Sequence, residues 1–231
     1  DSANINTTDL SVFSQEVRLS GGDDDLNWIL GGYYSSDEMD EYYHYFMSDS
    51  VYGYGSIPWG VDLFSASGGI HELDTRNWQE ADSSAVFGHV EWRFTEAWRL
   101  TLGARYTSEE RSNSSCTFVA DDGSLADFLN GAFGSTLGVG DCGTIDDDPA
   151  SPTFIFAVIG TPAINDAFHV LSNTIETSRM MGKVTLDYAV NDDVLLYGTI
   201  SNGFKSGGFN GANSNTTLQL APIKEEVLTA Y

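Results

Sequence analysis

Basic side chains are scarce in this chain of 231 residues: 10 lysines and arginines stand against 34 aspartates and glutamates, and the formal net charge is -24. A nucleic-acid-binding protein needs clustered lysine and arginine for the phosphate backbone, so the composition argues against that function. Long apolar runs are also lacking, and nothing in the sequence could form a membrane-spanning helix. Closed β-barrels remain compatible with the sequence, because their strands carry only a weak hydrophobic signal.

Recognisable catalytic motifs are missing as well. The sequence has no Gly-x-Ser-x-Gly nucleophile elbow, no His-Glu-x-x-His zinc motif and no phosphate-binding Gly-Lys-Ser/Thr loop. Its four histidines are scattered along the chain: His44, His71, His89 and His169. The acidic groups at 23–25, 146–148 and 192–193 lack the ligand spacing of a calcium-binding loop. We therefore predict no enzyme activity, no cofactor and no metal, and we interpret the acidic groups as solvated turns.

Cysteine is represented by only two residues, Cys116 and Cys142. An even pair in an exported protein most simply forms a disulfide, and neither cysteine has a histidine at zinc-finger spacing. We predict a Cys116–Cys142 bridge that stabilises its loop by about 3 kcal/mol.

What the chain does contain is a regular alternation of polar and apolar side chains. Between residues 86 and 94, Val90 and Trp92 share one face, while His89, Glu91 and Arg93 share the other. Residues 98–107 and 183–190 repeat this pattern. A soluble sandwich tolerates a charged row on its water-facing side, so the sandwich stays open. The pattern also fits strands with a polar face toward a lumen and an apolar face toward lipid.

Short turns alternate with long segments along the chain. Strands are predicted at about 12–20, 26–36, 83–94 and 98–110, then as a hairpin at 173–204, with a final strand after residue 222. The short turns are 21–25, 95–97 and 191–193, whereas the long segments are about 37–81, 111–172 and 205–222. Outer-membrane barrels show this order of tight periplasmic turns and extended extracellular loops. The asymmetry favours a barrel.

Aromatic residues concentrate near the predicted strand ends. Tryptophan and tyrosine favour the lipid headgroup level on both sides of a barrel. At the periplasmic end we predict an aromatic girdle formed by Trp92, Phe94 and Trp98. At the opposite end we predict a second aromatic level formed by Tyr33, Tyr34 and Tyr106. The alternative is a cross-strand Trp92–Trp98 pair in a soluble hairpin.

Several segments resemble a single protein family both in their amino-acid sequence and in their order along the chain. They are SQEVRL at 14–19, WILGGYY at 28–34, LGARYT at 102–107, LLY at 195–197, GFKSGGFNG at 203–211 and IKEE at 223–226. These segments resemble the barrel of TonB-dependent outer-membrane receptors. The resemblance implies an all-β fold, an antiparallel transmembrane β-barrel fragment that contributes about seven strands to a larger barrel. Residues 1–231 would be part of that barrel, and an export signal, an N-terminal plug domain and the remaining strands would lie outside them.

The same resemblance implies a location and a function. The receptor would lie in the cell outer membrane of a Gram-negative bacterium, in contact with lipid and lipopolysaccharide. It would import a scarce nutrient by active transport, with the plug contacting the TonB complex and a ferric siderophore as the expected cargo. Cobalamin, haem and oligosaccharides stay open as cargo. Two other functions also stay open: a soluble or surface β-sandwich that binds glycans, and a passive porin-type barrel.

Candidate cargo-binding residues lie in the long segments, since rigid scaffolds commonly present binding groups on loops. The candidates are Tyr42, Tyr43, Tyr45, Trp59, Phe209 and Asn210. Their side chains could contact a sugar or an aromatic chelator, and the rings could equally pack the loop onto the barrel rim. A further apolar run at 154–160 is predicted as a loop strand packed on its neighbours.

Overall fold

The computed structural model describes residues 3–47, 69–210 and 215–231. In these ranges, seven strands form one antiparallel sheet in chain order. The strands are β1 (Ala3–Gly22), β2 (Leu26–Phe46), β3 (Glu72–Arg93), β4 (Trp98–Phe118), β5 (Leu171–Asn191), β6 (Val194–Lys205) and β7 (Glu226–Ala230). The predicted all-β fold of seven antiparallel strands is confirmed, and the single sheet is not the two-sheet sandwich considered as an alternative. No helix in the described ranges is long and apolar enough to cross a membrane.

Three tight turns lie at one end of the sheet, and each is closed by its own side chains. The Asp23 carboxylate accepts backbone hydrogen bonds from Asp25 at 3.0 Å and Leu26 at 2.9 Å. In the β3–β4 turn, the Thr95 hydroxyl accepts the backbone N–H of Trp98 at 3.0 Å. In the β5–β6 turn, the Asn191 side chain accepts the N–H of Asp193 at 3.0 Å. Short polar side chains therefore fix these turns locally.

The strands extend further from the tight turns than the sequence pattern predicts. β1 begins at Ala3 rather than near residue 12, and the predicted long segments 37–81 and 111–172 shrink to 47–71 and 119–170. The third connection runs from 206 to 225 rather than from 205 to 222. The pattern ends too early because polar side chains appear on both faces in the distal half of these strands, which weakens the period-2 hydrophobic signal while backbone pairing continues.

The two faces of the sheet differ sharply in polarity. On the outer face, Val90, Leu102, Val184 and Ile200 lie in one row across four strands, and Leu102 and Ile200 are 43% and 64% exposed. On the inner face, polar side chains are covered, with Thr101 only 7% exposed. A soluble protein buries apolar groups and exposes polar ones. This sheet does the reverse, so its outer face is suited to an apolar surrounding.

The β4–β5 connection, residues 119–170, folds into a small unit that we call the loop subdomain. It contains α1 (Ser124–Phe133), α2 (Ile155–Val158) and a 3-10 turn at Ile164–Ala167. Its core joins Ile70, just before β3, and Leu73 of β3 to residues from the subdomain: Val119, Leu125, Ala126, Phe128, Leu129, Ile155, Val158, Ile164, Ala167 and Phe168. The predicted strand at 154–160 is wrong, because Ile155 and Val158 are buried at the i, i+3 spacing of a helical turn.

The sheet divides above Gly182. β5 pairs with β6 only between Gly182 and Asn191, and the opposite edge of β6 pairs with β7 at Ser201–Lys205. Residues 171–181 of β5 therefore have β4 on one edge, and no described strand on the other. The β6–β7 connection is held there by side chains, since Arg179 Nε donates to Glu225 Oε2 at 2.9 Å. It also joins the loop subdomain, where the Ile145 N–H donates to the Asn215 carbonyl at 2.9 Å.

Candidate functional site

Aromatic rings line the outer face close to the tight turns. Trp92 and Phe94 are 5.5 Å apart between ring centroids, Phe94 and Trp98 are 6.5 Å apart, and Trp98 stacks on Tyr188 at 4.5 Å. A second aromatic level lies further along the strands, where Tyr34 and Tyr106 are exposed. Tyr33, also predicted there, faces inward and contacts Arg105. The apolar row of Leu102 lies between the two levels. This arrangement matches a lipid-facing band bounded by interfacial aromatics.

The inner face carries nearly all of the positive charge. Strand register places eight of the 10 basic residues on it: Arg18, Arg93, Arg99, Arg105, Arg111, Arg179, Lys183 and Lys205. On the strands, only Arg76 faces outward, where it forms an ion pair with Asp40 at 2.8 Å. The inner wall is thus a polar, cation-bearing surface in a strongly acidic chain.

Four of the arginines on the inner face form ion pairs with a carboxylate. Arg18 is paired with Glu16, Arg111 with Glu109 and Arg179 with Glu225, all by side-chain contacts. Arg99 donates to Asp187 at 2.7 Å, and Asp187 is only 6% exposed. In β4, the stretch of inner face between the pairs on Arg99 and Arg111 contains no further ion pair among the described residues.

Arg105 lies in that stretch without an acidic partner among the described residues. Its guanidinium stands 5.4 Å from the ring centre of Tyr33 and 5.8 Å from that of Phe87, and its Nε donates to the Thr107 hydroxyl at 3.0 Å. Phe87 can lie flat across β2 only because Gly31 has no side chain, since a Cβ at that position would come within 2.3 Å of the ring. Cation–π contacts therefore fix the guanidinium in place.

The predicted tyrosine group does not lie in a loop, because β2 extends through it to Phe46. Strand alternation separates its members: Tyr43 and Tyr45 stack on the inner face with ring centres 5.9 Å apart, whereas the Tyr42 hydroxyl donates to Asp74 on the outer face at 2.9 Å. Burial, followed by the Asp74 contact, raises the pKa of Tyr42 to about 12. Burial and the neighbouring Glu41 also raise the pKa of Tyr43. These phenols therefore stay neutral near neutral pH.

The other predicted cargo contacts lie elsewhere. Phe209 and Asn210 are half-buried just beyond the bridge between Gly208 and Ile223, and β3, β4 and β5 separate β6 from the tyrosines of β2. Trp59 lies outside the described residues. The structure therefore brings Tyr43 and Tyr45 together, but it does not gather the predicted set into one site.

A buried polar wall on the distal inner face was missed by the sequence analysis. The Asn77 amide donates to Glu41 at 3.0 Å, and Thr117 donates to the side chain of Asn215 at 3.3 Å. Nearby, Asn113 is 3% exposed, and neither polar atom of its side-chain amide has a hydrogen-bond partner in the described part of the chain. The sequence carries a signal for this wall, polar residues at every second position, in segments that the sequence pattern predicts as loops.

The loop subdomain is fastened by its disulfide and by a buried carboxylate. Cys116 and Cys142 are bonded, with Cα atoms 6.0 Å apart. Asp146 is 2% exposed rather than a solvated turn charge, and it accepts hydrogen bonds from Ser151 and from Thr153 at 2.6 Å. Burial alone would raise the pKa of Asp146, but these hydrogen bonds outweigh burial and hold it below its usual range. No group of residues suited to a metal ion occurs within the described ranges.

Comparison with known proteins agrees with this geometry. A family model described as TonB dependent receptor-like, beta-barrel, matches residues 2–231. Among solved structures, the fold is similar to the ferric yersiniabactin uptake receptor FyuA from Yersinia pestis, with a TM-score of 0.61 and 14% sequence identity. The match covers 98% of this chain and 26% of the FyuA chain. Because the family match spans almost every residue, the chain belongs to the TonB-dependent receptor β-barrel family, whose members are transporters of the Gram-negative outer membrane and not enzymes.

Proposed function

We propose that these residues form part of the barrel wall of a receptor that imports a ferric siderophore by TonB-dependent active transport. The observation that carries the proposal is the polarity of the sheet, with an exposed apolar outer face and a polar inner face that bears eight basic side chains. Such a wall separates lipid from an aqueous lumen. The similarity to a ferric yersiniabactin uptake receptor supports the choice of cargo.

The rest of the machinery lies outside the 231 residues in this proposal. A plug domain fills the lumen and contacts the TonB complex, and lipid and lipopolysaccharide surround the outer face. The connections opposite the tight turns, 47–71, 119–170 and 206–225, face the outside of the cell. Cargo binding at that end is followed by a TonB-driven rearrangement of the plug, which opens a path along the inner wall.

We assign the first contacts with cargo to the aromatic and amide groups at the extracellular end. Tyr43 and Tyr45 offer a stacked pair of neutral phenols on the inner face, close to the buried polar wall at Asn77. Tyr42 faces outward in the structure and would reach cargo only from the rim. Trp59, Phe209 and Asn210 complete the proposed set.

Uptake measurements test the proposal directly. A strain lacking the gene would be grown under iron limitation with a panel of ferric chelates, and radioactive iron accumulation would be measured with and without a plasmid copy. We expect loss of uptake for at least one ferric siderophore and its restoration by the plasmid. Removal of the proton-motive force should abolish the same uptake. Unchanged accumulation of every chelate would overturn the choice of ferric siderophores and direct the search to cobalamin, haem and sugars.

A further inference from the structure

The β5–β6 ladder ends inside the apolar band of the outer face. Its last backbone pair joins Gly182 to Asn202, and Gly182 lies opposite Ala104 of β4. Ala104 is two residues beyond Leu102 and two before Tyr106. With a rise of about 3.3 Å per residue and a strand tilt of about 40°, the ladder ends roughly 5 Å short of the second aromatic level.

An end of pairing at that depth leaves backbone groups without a strand beside them. In an antiparallel strand, the N–H and C=O of every second residue point to the same edge, so Gly182 and Met180 direct theirs toward β6. The next pair in this register would join Met180 to Phe204, but no backbone pair links these two described residues. Unpaired backbone groups are costly inside a membrane, because hydrocarbon contains no water to bond them.

The side chain of Asn202 supplies the missing hydrogen bonds. Its Oδ1 accepts the backbone N–H of Gly182 at 2.7 Å, and its Nδ2 donates to the backbone C=O of Met180 at 3.1 Å. A carboxamide carries the same kinds of donor and acceptor as a peptide group, so one side chain replaces a stretch of partner backbone. We call this pair of hydrogen bonds the amide bridge.

The amide bridge also explains a polar residue on the apolar face. Asn202 is exposed, and it lies one outward position beyond Ile200 on β6. Across β2 to β5 the same row has no polar side chain, since it consists of Leu30, Gly88, Ala104 and Gly182. A polar group surrounded by lipid is tolerated when it is hydrogen-bonded, and both polar atoms of Asn202 are bonded to β5.

Conditions change on the other side of the amide bridge. Met180 lies opposite Tyr106, so residues 171–179 of β5 extend past the second aromatic level into water. There an unpaired N–H or C=O exchanges a protein partner for a water molecule at little net cost. Separation of β5 from β6 is therefore inexpensive above the second aromatic level and expensive below it.

We propose that the amide bridge of Asn202 sets the depth to which the extracellular half of the wall parts between β5 and β6. The two strands separate as far as Met180, and separation stops at Gly182. Going further would break the amide bridge and turn two backbone groups toward lipid. The bridge acts on the wall itself, so this proposal is independent of the cargo and of the proposed transport function.

Hydrogen exchange resolved to single amides tests the proposal on the full-length receptor in lipid nanodiscs. On the β6-facing edge of wild type, we expect fast exchange at Ser178 and Met180 and slow exchange at Gly182 and Val184. Asn202→Leu removes the carboxamide but keeps a side chain of similar size that suits lipid. It should accelerate exchange of the Gly182 amide by about tenfold or more, which corresponds to about 1.4 kcal/mol, and move the boundary of slow exchange to Val184.

Asn191→Ala is the matched control, because the Asn191 side chain also accepts a backbone N–H, that of Asp193, but in the tight turn. The control should change exchange of the distant Gly182 amide by less than about twofold. Heat-modifiable migration on gels would verify that both variants remain folded barrels. Equal exchange at Gly182 in wild type and Asn202→Leu would overturn the proposal. So would fast exchange of that amide in wild type, a result that needs no variant.

Discussion

The sharpest test of the two-faced sheet is an arginine placed at Leu102. Leu102 lies four residues from Trp98 and four from Tyr106 on the same face of β4. With a rise of about 3.3 Å per residue and a strand tilt of about 40°, it is roughly 10 Å from each aromatic level. That places it near the middle of an apolar band about 25 Å tall, where water cannot solvate a guanidinium.

The expected cost follows from that depth. Arginine on the lipid face of a barrel costs about 2–4 kcal/mol at the midplane and close to nothing at the interface. Leu102→Arg should therefore reduce the free energy of unfolding by about 2–4 kcal/mol, and Ile200→Arg, in the same row of β6, should behave alike. The Leu102→Ala variant measures how much of the lost stability comes from removing the leucine side chain and how much from adding the charge.

The measurement is equilibrium unfolding of the full-length receptor in lipid vesicles by guanidinium, followed by tryptophan fluorescence. Thr199→Arg is the matched control, because Thr199 adjoins Ile200 but faces the lumen, where it is hydrogen-bonded to Thr185 at 2.8 Å. Thr199→Arg should lower the free energy of unfolding by about 1 kcal/mol, because it removes one hydrogen bond. If Thr199→Arg and Ile200→Arg destabilised the barrel equally, the assignment of the faces would be wrong.

Three further changes test other parts of the structure. Gly31→Ala should lower the free energy of unfolding by about 1–3 kcal/mol through overpacking against the phenyl ring, whereas Gly32→Ala, whose Cβ would meet nothing closer than 3.9 Å, should be mild in the same titration. Replacing Cys116 and Cys142 with serine should destabilise the loop subdomain by about 3–4 kcal/mol, given their separation of 26 residues, and speed its proteolysis in intact cells; an unchanged cleavage rate would contradict this. Because the pKa of Asp146 is lowered on folding, its contribution is complete above the unfolded pKa of about 4 and is lost as pH falls through the folded pKa, so acid should loosen the wild-type subdomain, and Asp146→Asn should remove that pH dependence.

The strands that cross the apolar band could be predicted because two independent signals coincide there. Alternation from Val86 to Phe94 and from Trp98 to Thr107 defines the two faces, and the short turn that joins the two strands fixes their register. The distal halves of the same strands could not be predicted. Once both faces meet water, the alternation of apolar and polar side chains becomes too weak to distinguish a paired strand from a loop.

The candidate site shows the same limit. The alternation of side chains along β2 places Tyr43 on the inner face and Tyr42 on the outer face. This alternation can be applied only once the strand is known to extend as far as these residues. Helix α1 was also missed, although Leu125, Phe128 and Leu129 have the i, i+3, i+4 spacing of an amphipathic helix.

Charge could be sorted by face from the sequence, and the inner position of Arg99 and Arg105 was expected. Which cation lacks a partner could not be read in this way. Arg99 finds Asp187 across 88 positions of sequence, and only the strand register brings the two together. That Arg105 has no carboxylate partner among the residues the structure describes therefore follows from strand register and not from its neighbours in sequence.

The division of the sheet above Gly182 has a consequence for backbone amides. In an antiparallel strand, successive N–H groups point to opposite edges, so with β4 on one side only every second amide of residues 171–181 is tied into a ladder. Hydrogen exchange along this half of β5 should alternate between slow and fast amides. Between Gly182 and Asn191, where β5 has a paired strand on each edge, every amide should exchange slowly. Deuterium labelling can therefore map, residue by residue, the edge of β5 at 171–181 that has no described strand beside it.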